Sequence, residues 1–271
     1  MKTGFFLTAL VATTVALSAL PARAQTLSDI VSAEFLPGWR TEQGTLMAAV
    51  RLQLAPGWKT YWRSPGDAGV PPEFGWAGSD NINAVQFHWP RPEVFDFNGM
   101  QTIGYARELV LPVEIWPTDA SRPVRVAAQM DLGVCRDICV PASLEIGGDL
   151  LPGAGAAQPA IQAALRNRPE NRREAGVRDA HCSVEAVANG MRLTAVVDLP
   201  RLGARESVVI ETGNPDIWVA EASVTRDGSR LIATSDMIAP NRQPFALDRS
   251  DITITVLSKG RAVELLGCPG N

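Results

Sequence analysis

The sequence has few of the residues that carry metal and hydrolytic chemistry. It contains only two histidines, His88 and His181, far apart in the chain, and four cysteines. A structural zinc site needs four ligands, so zinc binding is not expected. No Ser-His-Asp arrangement, phosphate-binding loop or glycosidase carboxylate pair occurs in a recognisable motif. The sequence therefore predicts neither a metal site nor another cofactor.

Long apolar runs are lacking after residue 24, where Arg, Asp, Pro or Gly interrupts every hydrophobic stretch. A membrane-spanning helix requires about 20 consecutive apolar residues, so none is predicted there. Before that point, Lys2 precedes an apolar run from Phe5 to Leu20, and the small-x-small triplet 22–24 follows. These features predict a cleaved secretory signal peptide, residues 1–24, with a membrane anchor as the alternative. We therefore expect a soluble, periplasmic protein.

An excess of positive charge is also lacking. The 25 Lys and Arg residues are outnumbered by 29 Asp and Glu residues, which gives a net charge of −4. Removal of the signal peptide, with Lys2 and Arg23, makes the chain more negative. Because such a surface repels phosphate backbones, nucleic acid is not an expected partner.

The pattern that is present is an alternation of apolar and polar residues in short segments. A period of two is typical of half-buried strands, and it occurs at 46–54, 109–115, 124–130, 193–199 and 252–256. Asn189-Gly190 and Asp227-Gly228 are typical of hairpin turns between such segments. The sequence therefore predicts a mainly β protein.

Residues 151–176 interrupt this pattern, because they are rich first in Ala, Gly and Pro and then in charge. Only residues 158–166 are suited to a short helix. We interpret 151–176 as a linker between an N-terminal domain, residues 25–150, and a C-terminal domain, residues 177–271. Each has the size and the short strands of an immunoglobulin-like β-sandwich, which predicts two such sandwiches in series.

The four cysteines of an exported chain favour two disulfides, for which three pairings are possible. Cys135 and Cys139 follow a predicted strand and are separated by three residues. A tight hairpin would place them face to face, and the bracketing Gly133 and Pro141 argue against a helix instead. Because a disulfide across so small a loop contributes little stability, reactivity is one explanation for it. A purely structural bridge and a Cu(I) site are the alternatives.

The other two cysteines are predicted to form a structural disulfide. Cys182 is placed before the first predicted strand of the second domain, and Cys268 after its last strand-like run, 261–266. A bridge between them would tie the ends of that domain together across a long loop. A second redox pair is the alternative.

Several motifs together resemble the N-terminal periplasmic domain of the thiol:disulfide interchange protein DsbD. They are residues 96–105 (DFNGMQTIGY), residues 109–113 (LVLPV) and the cysteine hairpin with Pro141. Residues 56–63 (PGWKTYWR) and 65–69 (PGDAG) are more similar to the related ScsB branch. The resemblance covers about residues 30–150 strongly and the second domain by position only.

This resemblance implies an immunoglobulin-like sandwich that receives electrons through its cysteine pair and passes them to periplasmic oxidoreductases. Cys139 matches the cysteine that attacks the client, and Cys135 matches the one that resolves the mixed disulfide. Phe97, with Asn98 and Gly99, matches a cap loop whose aromatic ring covers the disulfide. Ordinary core packing is the alternative role for Phe97.

Two features depart from the family pattern. Three residues separate the cysteines, fewer than in DsbD itself, and the chain ends at Asn271 without the membrane and thioredoxin-like domains of the full-length proteins. We therefore expect a disulfide reductase-like module without its own electron source, which relays electrons from a separate membrane reductase to exported thioredoxin-fold clients. A non-catalytic immunoglobulin-like binding module with two structural disulfides and a Cu(I)-handling protein are the alternatives.

Overall fold

Antiparallel strands form most of the regular structure of this protein. The computed structural model describes residues 26–97, 100–153 and 155–270, without the side chain of Phe97. The prediction of a mainly β protein is confirmed in these residues. None of the helices found there is long and apolar enough to cross a bilayer.

The described residues of the first half contain a 3-10 helix, Leu27–Asp29, followed by strands. The strands are β1 Val31–Arg40, β2 Leu46–Leu54, β3 Lys59–Tyr61, β4 Glu73–Gly75, β5 Ile82–Phe87, β6 Glu93–Phe97, β7 Met100–Ala106, β8 Glu108–Pro117, β9 Val124–Cys135 and β10 Cys139–Leu150.

These strands form an immunoglobulin-like sandwich of two sheets. One sheet has the order β1-β2-β8-β5, and the other has the order β10-β9-β3-β7-β6, with β4 paired to β9. A cluster of apolar side chains from both sheets is buried between them, and its largest fully buried members include Leu52, Trp62, Leu111, Ile115 and Met130. Burial stabilises the fold by about 1.5–3 kcal/mol for each aliphatic side chain of this size. The apolar face of each alternating segment therefore determines which side of its strand points inward.

The described residues of the second half begin with helix α1, Pro159–Arg166, which lies where the sequence predicted a helix. The strands that follow are β11 Asp179–Val187, β12 Gly190–Asp198, β13 Glu206–Glu211, β14 Trp218–Val219, β15 Ser223–Asp227, β16 Arg230–Ile238, β17 Thr253–Ser258 and β18 Arg261–Leu266.

The strands of the second half also form two sheets. One has the order β11-β12-β16-β14, with β15 paired to β16, and the other has the order β13-β17-β18. A second cluster of buried apolar side chains includes residues from both sheets. Strand β11 was not predicted from the sequence, because its inward positions hold mostly small residues such as Ala180 and Cys182, which give a weak hydrophobic signal.

Helix α1 covers the outer face of the first sheet. Its Ile161 is fully buried against Leu36 of β1 and against Met47 and Ala49 of β2. Strand β2 is therefore buried on both faces, although alternation predicted one buried face. The segment interpreted as a linker thus packs against the first sandwich.

The two halves are in contact. Leu257 of β17 and Ala262 of β18 belong to the same buried cluster as the core of the first sandwich. The backbone N–H of Arg91 donates to the Asn167 carbonyl at 2.7 Å, and Arg91 Nη1 donates to the Gly260 carbonyl. Apolar packing and hydrogen bonds therefore both hold the second half against the first.

Candidate functional site

The cysteine pair closes a three-residue hairpin at one end of the longest strand pair in the first sandwich. Strand β9 ends at Cys135 and β10 begins at Cys139, and the two residues are direct partners in the antiparallel register. The Arg136 N–H donates to the Ile138 carbonyl at 3.0 Å within the turn. The cysteines are joined in a disulfide with a Cα–Cα distance of 4.1 Å. The predicted hairpin and the predicted pairing are both present.

The two cysteines of this hairpin differ sharply in exposure. Cys135 is only 3% exposed, whereas Cys139 is exposed. The sheet order explains the difference, because β9 has β10 on one side and β3 on the other, while β10 is an edge strand. Lys59 of β3 pairs with Cys135 in register and covers its other side. A reactant can therefore approach the pair at Cys139.

Tyr61 provides a polar side chain that contacts the disulfide. Its hydroxyl lies 3.0 Å from Cys135 Sγ and 3.4 Å from Cys139 Sγ. Since disulfide sulfurs carry no hydrogen, the phenol is the donor. Burial raises the pKa of Tyr61 above its usual value, so the hydroxyl stays protonated at physiological pH. A donor at this position stabilises negative charge on Cys135 once the disulfide opens.

Two glycines make room for the Tyr61 ring. A Cβ atom on Gly133 would lie 3.1 Å from the ring, and one on Gly69 would lie 3.0 Å from the ring and 2.3 Å from Pro65 Cβ. Any side chain at Gly69 would therefore displace the loop that contacts Tyr61. The absence of a side chain at both glycines therefore leaves the space beside the sulfurs that the tyrosine ring occupies.

Apolar side chains surround the tip of the hairpin. Ile138 is 69% exposed, although it is a large hydrophobic residue. The Arg136 guanidinium lies 5.1 Å from the centre of the buried Trp58 ring. Ile138, Trp58, Leu27 and Ile30 help to line a groove of about 300 Å³ beside the hairpin. The exposed Ile138 therefore continues into an apolar groove next to the accessible sulfur.

The predicted cap loop lies largely outside the described residues. The backbone of Phe97 ends β6 and pairs with Met100 at the start of β7. The Phe97 side chain, and Asn98 and Gly99, are not among the described parts of the chain. The cap assignment therefore stays a prediction.

The second pair of cysteines is joined in the core of the second half. Cys182 and Cys268 form a disulfide with a Cα–Cα distance of 5.5 Å, and each is 1% exposed. Cys182 lies within β11 and not before the first strand, as the sequence had suggested. The Cys182 N–H donates to the Pro269 carbonyl at 2.8 Å, and Arg249 Nη1 donates to the Cys182 carbonyl at 2.6 Å. This bridge is enclosed by protein on all sides.

The two histidines lie beside carboxylates in separate parts of the fold. His88 Nε2 is 2.9 Å from Glu114 Oε2, and His181 Nδ1 is 2.9 Å from Asp179 Oδ2. No group of three or more His, Cys, Asp or Glu side chains in the described part of the chain could hold a metal ion.

The fold and the accessible disulfide indicate a class of protein. A disulfide across a short loop contributes little to stability, so an accessible one at a sheet edge is typical of exchange chemistry. Domains of this class are immunoglobulin-like sandwiches that exchange disulfides.

Comparison with known proteins gives the family. Residues 32–146 match the N-terminal domain of the thiol:disulfide interchange protein DsbD. This part of the chain therefore matches the family of DsbD N-terminal domains. The domain family and the cysteine pair together indicate a role in thiol–disulfide exchange. No curated protein sequence matches the chain.

Many solved structures match this protein, and two of them are N-terminal domains of ScsB and DsbD. The N-terminal periplasmic domain of ScsB from Proteus mirabilis aligns with 89% of this chain and 92% of its own, at 24% identity and a TM-score of 0.62. This similarity establishes the fold over both halves. The DsbD N-terminal domain of Neisseria meningitidis in the reduced form aligns with 46% of this chain and 90% of its own, at 18% identity and a TM-score of 0.23.

Replacement of Tyr61 by Phe is expected to shift the equilibrium with glutathione towards the disulfide by about two- to tenfold. The hydroxyl donates more strongly to a thiolate than to a neutral disulfide, so its loss destabilises the reduced form more. The measurement is the reduced fraction of the Cys135–Cys139 pair across glutathione ratios at pH 8. Replacement of Tyr105 by Phe, which removes a hydroxyl bonded to the Pro90 carbonyl, is the control. An unchanged equilibrium in the Tyr61 variant would mean that the hydroxyl does not act on the sulfurs.

Proposed function

We propose that this protein is a periplasmic thiol–disulfide exchange module that relays reducing equivalents from a separate membrane reductase to exported thioredoxin-fold clients. The working pair is Cys135 and Cys139. The observation that carries the proposal is the difference in exposure, since Cys139 is exposed and Cys135 is 3% exposed. Exchange needs one sulfur that a partner reaches and a second that stays inside to resolve the mixed disulfide.

The reduction step begins when a thiolate of the reductase attacks Cys139 Sγ. The bond to Cys135 breaks, and its electron pair remains on Cys135 Sγ as a thiolate. Tyr61 lies 3.0 Å from that sulfur and is placed to donate to it. A second thiolate of the reductase then attacks the reductase sulfur of the mixed disulfide and releases Cys139. The reductase leaves oxidised, and two electrons remain on the pair.

The delivery step is the same chemistry in the opposite direction. The Cys139 thiolate attacks a client disulfide and releases one client thiolate. Cys135 then attacks Cys139 Sγ, which re-forms the disulfide and releases the second client thiolate. The two electrons pass to the client. Because both steps take place at the same exposed sulfur, the reductase and the client cannot be bound at once.

Three further assignments accompany this proposal. Phe97, with Asn98 and Gly99, forms a cap over the disulfide, as the family resemblance implies. Export to the periplasm is supported by the apolar N-terminal segment and by the periplasmic location of the similar ScsB domain. Residues 25–150 and 177–271 form two domains, in agreement with the two separate pairs of sheets.

The native protein is expected to show selective reduction. Glutathione or thioredoxin should open Cys135–Cys139 and leave Cys182–Cys268 intact, because both sulfurs of the second bridge belong to residues that are 1% exposed. Alkylation of the released thiols followed by peptide mass spectrometry would identify the opened bond.

The same reaction in urea is the control, since both bridges should open once the protein is unfolded. Equal resistance of the two bonds in the native protein would contradict the proposal and favour a binding module with two structural disulfides.

A further inference from the structure

One side chain of the first sandwich is held by two carboxylates from the second half. Arg63 Nε and Nη2 donate to the two oxygens of Glu211 at 2.9 Å each, and Nη2 also donates to Glu264 Oε2 at 2.6 Å. Glu211 is the last residue of β13, and Glu264 lies in β18. We call this group the Arg63 clamp.

The Arg63 clamp has the geometry of a strong ion pair. Two parallel bonds to one carboxylate fix the plane of the guanidinium, and all three side chains are partly buried, which reduces screening by solvent. Burial acts to lower the pKa of Arg63, but the bonds to Glu211 and Glu264 raise it more, so the net shift is upward. The guanidinium also lies 4.4 Å from the centre of the Trp62 ring.

The clamp lies two residues from the tyrosine that contacts the disulfide. Between them, Trp62 is fully buried, and its backbone N–H donates to the Ile103 carbonyl at 3.0 Å. The Ile103 N–H in turn donates to the Pro65 carbonyl at 2.9 Å. Because Trp62 is fully buried and the backbone of this segment is hydrogen-bonded to Ile103 at two points, a displacement at Arg63 is expected to move Tyr61 as well.

The loop that follows Arg63 also lies against the Tyr61 ring. Gly66 has a positive φ of 83°, and a Cβ atom there would lie 2.9 Å from the Gln101 carbonyl oxygen. A Cβ atom on Gly69 would lie 3.0 Å from the Tyr61 ring. The chain from 61 to 69 therefore begins and ends at the same ring, with Arg63 anchored to the second half between the two contacts.

We propose that the second half of the chain positions the redox site through the Arg63 clamp, which holds the Tyr61 hydroxyl against the Cys135–Cys139 sulfurs. Arg63, Glu211 and Glu264 are positioning residues, since they contact one another and act on the sulfurs only through Tyr61. The proposal concerns the site of the proposed function and assigns the second half a task there. The test measures the equilibrium of the Cys135–Cys139 disulfide with glutathione. A failure of the protein to reduce clients would therefore contradict the proposed function but not this proposal.

The test replaces both carboxylates, as Glu211→Gln with Glu264→Gln, in the full chain. The expected result is the same as for loss of the tyrosine hydroxyl: the glutathione equilibrium of Cys135–Cys139 shifts towards the disulfide by about two- to tenfold. The matched control is Asp236→Asn, which breaks another two-bond arginine pair, with Arg192, between β12 and β16. It should leave the equilibrium unchanged. An unchanged equilibrium in the clamp variant would overturn the proposal.

A double-mutant cycle separates positioning from general loosening of the structure. In a Tyr61→Phe background, the clamp substitutions should cause no further shift, because the hydroxyl that they position is already absent. An equal shift in both backgrounds would show that the clamp does not act through Tyr61 and would overturn the proposal. If the double variant does not fold, the single variant Glu264→Gln is measured in the same two backgrounds. It keeps the two bonds between Arg63 and Glu211 and is therefore expected to fold, and the same outcomes support or overturn the proposal.

Discussion

A Cys135→Ala variant is expected to accumulate a mixed disulfide with a thioredoxin-fold client, whereas a Cys139→Ala variant is not. The exposed Cys139 thiolate can still attack a client disulfide, but without Cys135 nothing resolves the product. In the second variant the remaining Cys135 is 3% exposed, so a protein client does not reach it. Non-reducing gel electrophoresis with a purified thioredoxin-fold protein would show the adduct. We expect steady-state client reduction to be abolished in both variants.

The double variant Cys135→Ala with Cys139→Ala is the control for this experiment, since it retains the Cys182–Cys268 bridge and should form no adduct. An adduct that forms equally well with either single variant would show that burial does not select the attacking sulfur. A stronger adduct with Cys139→Ala would reverse the proposed roles.

Removal of the second bridge is expected to have the largest effect on stability. Cys182→Ala with Cys268→Ala opens a loop with a sequence separation of 86, for which the chain-entropy relation gives a loss of ~4.6 kcal/mol in the free energy of unfolding. The same relation gives only ~2 kcal/mol for the loop closed by Cys135 and Cys139. Urea unfolding of the two double variants, followed by circular dichroism, makes the comparison direct.

This prediction distinguishes a structural disulfide from one that takes part in exchange. A larger stability loss on removal of Cys135 and Cys139 than on removal of Cys182 and Cys268 would mean that the hairpin bridge is structural. The expected order, with the buried long-loop bridge more important for stability, leaves the hairpin bridge free to open and close during exchange.

Much of the fold was predictable because strand periodicity is local. Alternating residues in β2, β8, β9, β12 and β17 indicated the strands, and small inward residues hid β11. The hairpin at Cys135 and Cys139 was predictable for the same reason, since a short connection after a strand limits the geometry to few choices. The helix within the interrupting segment was also predicted, but its contact with β2 was not.

The remaining features of the site were not predictable, because they depend on residues that are distant in sequence. Tyr61 lies in residues 56–63, which resemble the family. Its distance along the sequence from Cys135 follows no strand or helix period, so no local pattern indicates that the two residues are in contact. Its contact with the sulfur joins residues that are 74 positions apart. The only local hint was the pair of glycines, Gly69 and Gly133, whose role is visible only once the ring lies between them.

The sequence by itself determined the strands whose apolar residues alternate, the hairpin that joins Cys135 to Cys139 and the chemistry available at that pair. The tertiary structure alone decided which cysteine is exposed, because that depends on β10 being an edge strand. It also decided that Arg63 meets Glu211 and Glu264, which are 148 and 201 positions away. The physical reason is that local patterns determine which face of a strand is buried, whereas the neighbours of that face depend on how separate sheets pack together.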